Sequence, residues 1–472
     1  YQRSFEVPGE MGERVRLAPR HVKQRARWWV NGTEVGDSEY AYVPYSFDIS
    51  DVVRRGERNE VLVAVMDWVE CARPDLQAHL ATTHPGDRGG VEGRPFIKPC
   101  GGEVLPAGII ESVWVYGHGD VWASDVAVVT STREMTVTVR GVVHNDSAPP
   151  KQCTVGNAVF DGAEQAPALP EWTGEVPAGQ SRRFEVSARW DRPRLWWPDD
   201  PHLYRLQTDV QVGGAVADSL STRFGFREFR AEGEVFTLNE VPMHLFASSS
   251  WPNTVPMGWP GRVSDRWHDT RVLFESLREA GHDIFRAHTE PWSDLLADLC
   301  DEIGLMLVTE GVMSSIPGKY DWSHPELMPN LAEFFRLWPG REMNHPALVI
   351  RSIENEVGYL LQERIMGDQE TIARVRDGFI ECGHIVRAAD PSRPIMYHGS
   401  GPAFYQVADI YNNHYPGDEY RWAWYPNASW WPGREMDIYF TPDWMWDRRK
   451  PLYMGEWGWF PGGQDQFAAW MG

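Results

Sequence analysis

Hydrophobic and polar positions alternate with a period of two over much of the first half of the chain, and the period changes after Phe226. Alternation puts one face of a strand in a core and the other toward water. Ser46-Phe-Asp-Ile-Ser50 and Glu60-Val-Leu-Val-Ala-Val-Met66 read as strands of this kind, with turn residues between them. Arg27-Trp-Trp-Val30 runs into Asn31-Gly32, a hairpin signal because Asn and Gly tolerate positive φ. No helix-period stretch of any length interrupts residues 1–121, which predicts an all-β jelly roll there. Within it, residues 73–102 are rich in Gly, Pro and His and read as a long loop. Residues 135–144, 183–187 and 203–210 alternate cleanly and predict an immunoglobulin-like β-sandwich over residues 122–226.

Beyond Phe226, strand-like and helix-like segments take turns. Strands are expected at 243–248, 284–288, 305–310, 348–355, 395–398, 410–415 and 452–456, with helices at 267–280, 293–303, 331–338 and 371–388. Alternating βα units imply a parallel sheet. Because no Gly-x-Gly-x-x-Gly turn opens a helix, residues 227–472 are expected to form a (β/α)8 TIM barrel lacking its last βα unit, rather than a doubly wound sheet.

Composition narrows the partners. The 67 acidic and 45 basic residues give a formal charge of −22 without a basic stripe, so nucleic acid and an anionic membrane are excluded as expected partners. No apolar run reaches the ~20 residues needed to span a bilayer. The five cysteines are scattered without metal-like spacing, so buried thiols are expected and neither a disulfide framework nor a metal site. No cofactor is called for. Of 24 tryptophans, Trp422, Trp424, Trp430, Trp431, Trp444, Trp446, Trp457, Trp459 and Trp470 crowd the C-terminal part, in Pro- and Asn-bearing sequence that suits an aromatic wall against sugar rings. The chain opens at Tyr1 inside a strand-like stretch and stops at Gly472 soon after Glu456, so it reads as a fragment truncated at both ends. Its localisation stays open, and as a fragment it is expected to need the remaining barrel segment for activity.

Two stretches carry the candidate chemistry. Residues 349–358, Val-Ile-Arg-Ser-Ile-Glu-Asn-Glu-Val-Gly, begin as a buried strand and end by delivering Asn355 and Glu356 at its tip. Residues 451–459, Pro-Leu-Tyr-Met-Gly-Glu-Trp-Gly-Trp, repeat the design with Glu456. Carboxylates at the carboxyl ends of two parallel strands meet over one barrel mouth, as glycosidic bond cleavage requires.

Several motifs together resemble glycoside hydrolase family 2, the β-galactosidase, β-glucuronidase and β-mannosidase group. They are Trp29-Val-Asn-Gly-Thr-Glu-Val-Gly36, Gly108-Ile-Ile-Glu-Ser-Val-Trp114, Leu195-Trp-Trp-Pro-Asp-Asp-Pro-His-Leu-Tyr204, Phe224-Gly-Phe-Arg227, Leu299-Cys-Asp-Glu-Ile-Gly-Leu305 and Asn344-His-Pro346. The resemblance implies a retaining exo-β-glycosidase acting on a carbohydrate, β-galactoside first and β-glucuronide second, with Glu356 as acid/base and Glu456 as nucleophile. It further implies Asn355 on the sugar 2-hydroxyl, Tyr415 and Arg286 on the nucleophile, and His414, Trp457 and His288 as substrate-binding residues. A homo-oligomer fits the family, although no helical stripe or heptad argues for one. Arg351 and Glu354 depart from the family's Trp-Ser-x-Gly before Asn-Glu, and Thr289 stands where its His would fall. By strand alternation Glu354 would share a face with Glu356, as a rival acid or a perturber. These departures keep a second reading alive, a catalytically decayed carbohydrate-binding protein on the same scaffold.

Overall fold

The structure is a computed structural model of the 472-residue chain. It describes residues 1–66, 68–75, 96–99, 108–166, 168–250, 263–313, 320–362, 368–414 and 447–456. The Trp-rich stretch expected to line a sugar, including Trp457, lies outside these residues, as do Tyr415 and most of the loop at 73–102.

The opening segment folds as two facing antiparallel layers. Gln2–Glu6, Arg58–Met66, Arg25–Val30 and Thr33–Ser38 pair in that order, and Phe47–Asp48, Arg14–Pro19 and Val113–His118 form the opposite layer. The predicted hairpin is present, with Asn31 at φ 49° and Gly32 at φ 83°. Val15, Leu17, Ala26, Trp28, Val30 and Val63 alternate inward and fill the space between the layers. The second sandwich sets Val121–Ser131, Thr136–Asn145 and Gln180–Arg189 against Lys151–Asp161, Tyr204–Val212 and Ala215–Phe224.

The third part is a parallel barrel wall. Strands β1 (Ala247–Ser250), β2 (Ile284–Ala287), β3 (Met306–Glu310), β4 (Leu348–Asn355) and β5 (Ile395–His398) form one parallel sheet in chain order. Strands β6 (Tyr411–His414) and β7 (Leu452–Glu456) pair in parallel beside it. The two pieces are stitched by the Asp409 N–H donating to the Ile395 carbonyl and the Gly399 N–H donating to Asn412 Oδ1. Helices α1 (Val263–Glu279), α2 (Asp294–Ile303), α3 (Leu327–Glu342) and α5 (Gln369–Ala389) provide the connections, with a short α4 (Val357–Gln362) after β4. Helix α2 starts where Ser293 caps the Leu296 N–H and stops at Gly304, φ 76°. A Cβ on Gly304 would stand 1.9 Å from the Pro198 carbonyl oxygen, so the helix end can press on the second sandwich only as glycine.

One expectation needs correction. Met243 does not open the first barrel strand but ends Val241–Met243, part of a separate antiparallel sheet with Phe229–Glu232 and Val235–Leu238. The chain doubles back at Asn239 and Glu240, both at positive φ, and Asn239 ties the turn to the Trp196 carbonyl. Glu, unlike Asn or Gly, does not advertise such a turn.

The recurring motifs prove to be stitches between the sandwiches and the barrel. Asn344 accepts from the Val128 N–H and donates to the Val126 carbonyl, completing a strand edge of the second sandwich. His345 Nδ1 lies 2.7 Å from Asp301 Oδ2, and the Trp196 indole N–H donates to the Asp301 carbonyl. Buried Arg227 donates to the Pro346 and Leu348 carbonyls at the foot of β4. These contacts fix where β4 starts, and hence where its tip arrives.

Candidate active site

The tips of β2, β3, β4, β6 and β7 converge on one mouth. Arg286, next to last in β2, is buried and lies among acceptors. It donates to Glu310 at the end of β3 at 2.9 and 3.1 Å, to Asn355 Oδ1 at 2.6 Å and to Glu456 Oε1 at 2.8 Å. His288 Nδ1 stands 2.7 Å from the same guanidinium and 3.7 Å from Glu456 Oε1. On the far side, His414 Nδ1 lies 2.8 Å from Glu356 Oε1 and 3.8 Å from Glu456 Oε2. The two carboxylate oxygens therefore cannot be further apart than those distances laid end to end, about 6.6 Å.

The electrostatics single out one carboxylate. Burial pushes the Glu456 carboxyl up, but His414, Arg286 and His288 outweigh it and hold the group well below the usual carboxylate range. Burial works against the Arg286 charge as well, and Glu310 and Glu456 overcome it, so the guanidinium is more firmly charged than usual. The mouth thus holds an ionised Glu456 clamped to a permanent cation.

The tip of β4 departs from alternation. Its pairing with β5 is irregular between Ser352 and Asn355, and Glu356 adopts φ 58°, a left-handed conformation costing on the order of 1–2 kcal/mol for a side-chain-bearing residue. The Glu356 N–H is held by the His398 carbonyl at 2.7 Å. Glu354 and Glu356 consequently do not share a face. Glu354 is fully buried, accepts from the Val357 N–H and from Ser400 Oγ, and so caps the start of α4. Burial, with Glu310 and Glu356 adding to it, pushes its carboxyl up to about 8 against the pull of those hydrogen bonds. Arg351 points away from the mouth, to Glu342 at the end of α3 and Asp390 at the end of α5, both at 2.8 Å.

The structure therefore gathers Glu356, Glu456, Asn355, Arg286, His414 and His288 at one place. Glu310 and His398 join them although sequence reading passed them over. Each is the last residue of a strand whose end was expected at that position, and this was the available signal.

Two β-sandwiches in front of a parallel βα barrel with a carboxylate-lined mouth define the class of protein. Within it, the model "Glycosyl hydrolases family 2, sugar binding domain" matches residues 1–77, "Glycosyl hydrolases family 2" matches 122–227 and "Glycosyl hydrolases family 2, TIM barrel domain" matches 261–458. The chain belongs to glycosyl hydrolase family 2. A β-galactosidase of Leuconostoc mesenteroides is 24% identical over 402 residues, 81% of this chain and 34% of that protein. A β-glucuronidase of Paenibacillus borealis is 23% identical over 474 residues, 97% of this chain and 73% of its own length. The solved β-glucuronidase 2 of Bacteroides uniformis superposes with a TM-score of 0.68 at 20% identity, over 88% of this chain and 49% of that one. The chain spans about a third of the length of the first curated relatives it matches. Among the described residues no helix is long and apolar enough to cross a membrane.

Proposed function

We propose that the mouth is the centre of a retaining exo-β-glycosidase, with Glu456 as nucleophile and Glu356 as acid/base. The observation that carries the reading is the approach of both carboxylates to one atom, His414 Nδ1. Retaining sites hold the pair ~5–5.5 Å apart and inverting sites ~6.5–9.5 Å apart. One oxygen of each carboxylate lies within about 6.6 Å of the other across His414, a closeness that supports the retaining reading, and the anomer released decides between the two.

In the first step Glu456 attacks the anomeric carbon, the bond to the leaving oxygen breaks, and a proton from Glu356 goes to that oxygen. In the second, water attacks the anomeric carbon, its proton returns to Glu356 and the bond to Glu456 breaks. Arg286 orients the nucleophile and keeps it ionised. Arg286 also holds the Asn355 carbonyl oxygen, which leaves the amide N–H2 as the group to meet a sugar 2-hydroxyl. Tyr415 on the nucleophile and Trp457 on the sugar enter the proposal through the family resemblance, both lying outside the described residues. β-Galactosides come first and β-glucuronides second. Both activities are named among the relatives, and Arg286 is already engaged by Glu310 and Glu456, so a uronate would have to be read by other residues.

The test is release of 4-nitrophenol from the β-D-galactopyranoside and β-D-glucuronide, with product anomers followed by NMR. The β anomer should appear first, and Glu456→Gln should abolish turnover while sugar binding persists. Turnover in Glu456→Gln would remove the nucleophile assignment. Sugar binding without turnover in the unaltered protein would favour the carbohydrate-binding reading.

A further inference from the structure

Three side chains form a line from the tip of β4 into the barrel. Glu356 Oε1 lies 2.8 Å from His414 Nδ1, and His414 Nε2 lies 2.6 Å from His398 Nδ1. His398 Nε2, at the inner end, meets no hydrogen-bond partner among the described residues. Both rings are fully buried, with centroids 4.6 Å apart and planes inclined by 68°. The neighbouring backbone is shaped to admit them. A Cβ at Gly399 would stand 2.6 Å from the His414 ring, and one at Gly455 would stand 2.4 Å from His398 and 2.7 Å from His414. The double displacement uses the His398 carbonyl, which holds the Glu356 N–H, but neither of its ring nitrogens.

Hydrogen-bond bookkeeping fixes the tautomers. Of the two nitrogens that face each other, only one can carry the shared proton. A buried N–H with no acceptor is rarer in proteins than an acceptor with a spare lone pair. His398 therefore keeps its proton on Nδ1 and leaves Nε2 bare. Its Nδ1–H donates to His414 Nε2, so His414 carries its own proton on Nδ1 and aims it at Glu356 Oε1.

We propose that His398 acts as a positioning residue: by covering the Nε2 lone pair of His414 it keeps that imidazole neutral and in the Nδ1–H form, so that the proton of the site resides on Glu356. The proposal rests on the acid/base role given to Glu356. Because His414 donates to Oε1 whether Glu356 is ionised or not, the transferable proton is confined to Oε2. It leaves from Oε2 to the glycosidic oxygen and returns there from water, and neither imidazole changes its proton count. Without the cover, two carboxylates close to His414 would draw a second proton onto it and away from Glu356.

The titratable groups facing the pair are Glu356 beyond β4, Glu456 and Tyr453 on β7, Arg286 on β2 and His288 just after it. Burial, then the charge of Arg286, holds the His398 pKa well below its usual value, as a neutral donor needs.

The experiment has two arms on the full protein. In the first, the ring nitrogens of 15N-histidine-labelled protein are read by long-range proton–nitrogen correlation, with single variants for assignment. Both rings should show the uncommon Nδ1–H form, and His414 should become an imidazolium in His398→Leu. An imidazolium or Nε2–H form of His414 in the unaltered protein overturns the proposal. In the second arm, kcat/KM is compared for a phenyl and a 2,4-dinitrophenyl β-glycoside, the second of which leaves without a proton. His398→Leu should slow the phenyl glycoside by about a hundredfold, within the range of general-acid contributions. It should slow the dinitrophenyl glycoside far less and move the alkaline limb of the pH profile to lower pH. His398→Asn, with an amide N–H2 near the Nδ1 position, should restore both. Equal losses on both substrates with an unmoved limb would mean a merely structural role. If the unaltered protein turns over no aryl glycoside, the proposed function fails while the ring spectra still decide the tautomers.

Discussion

At the residue scale, Arg286 is where stability and chemistry meet. One guanidinium binds a buried carboxylate of β3, the amide of β4 and the carboxylate of β7, so it both closes the barrel wall and charges the nucleophile. Glu310 is fully buried and has this arginine as its ion-pair partner, and removing one member of a buried pair costs about 3–5 kcal/mol because the other charge is left uncompensated. Arg286→Met should therefore lower stability by about that amount in urea denaturation and also abolish turnover. An Arg286→Met/Glu310→Gln double variant should regain most of the stability and none of the activity, since Glu456 stays unclamped. If the single variant is as stable as the parent, the pair is not what holds the tips together. Glu356 and Glu456 were legible from the sequence because each follows or ends an apolar strand, and Arg286 was legible only through the family resemblance. The convergence of Arg286 with Glu310 was not, since nothing in a linear pattern says which strand tips face each other.

At the scale of elements, β4 shows how far alternation can be trusted. Period-two reading finds the strand and its apolar body, then misplaces Glu354, because the pairing irregularity and the left-handed Glu356 reset the face just before the tip. What looked like a rival acid is a helix cap sealed from solvent, and Arg351, which looked like a departure in the site, ties β4 to α3 and α5 instead. The Glu354 assignment has a pH signature. Its carboxyl titrates at about 8 in the fold against an ordinary 4.5. A group raised in this way contributes stability that is complete below the unfolded value and is lost as pH rises through the folded one. Stability of the parent relative to Glu354→Gln should thus decline from about pH 5 to pH 8, by at most about 1.4 kcal/mol per pH unit. Melting temperatures of the two proteins across that range check it. Curves that stay parallel would mean that Glu354 is ionised in the fold and accepts its two hydrogen bonds as a carboxylate.

At the scale of the whole molecule, the first sandwich does more than precede the barrel. Lys23 Nζ donates to Glu290 Oε2 at 2.6 Å, and the Tyr42 hydroxyl donates to the same oxygen, all three side chains being buried. Glu290 lies two residues beyond His288, so the sandwich braces the segment that brings His288 to Arg286 and Glu456. The layout into β-rich and βα parts was legible in the chain, but this brace was not, because Lys23 and Glu290 are 267 positions apart. A buried pair between domains should behave unlike an exposed one at the same seam. Lys23→Met leaves Glu290 charged and enclosed and should cost about 3–5 kcal/mol, most of which Lys23→Met/Glu290→Gln should recover. Arg20 and Asp294 pair at 2.7 Å across the same seam with the arginine in water, and Arg20→Ala should cost at most about 1 kcal/mol. Urea denaturation followed by tryptophan fluorescence measures all three. A single transition that shifts as a whole in Lys23→Met would mean that sandwich and barrel unfold as one unit, with the brace inside it. If Lys23→Met instead melts the sandwich in a separate early step and leaves the barrel transition and the rate on an aryl β-glycoside unchanged, the first domain is a passenger and does not support the mouth.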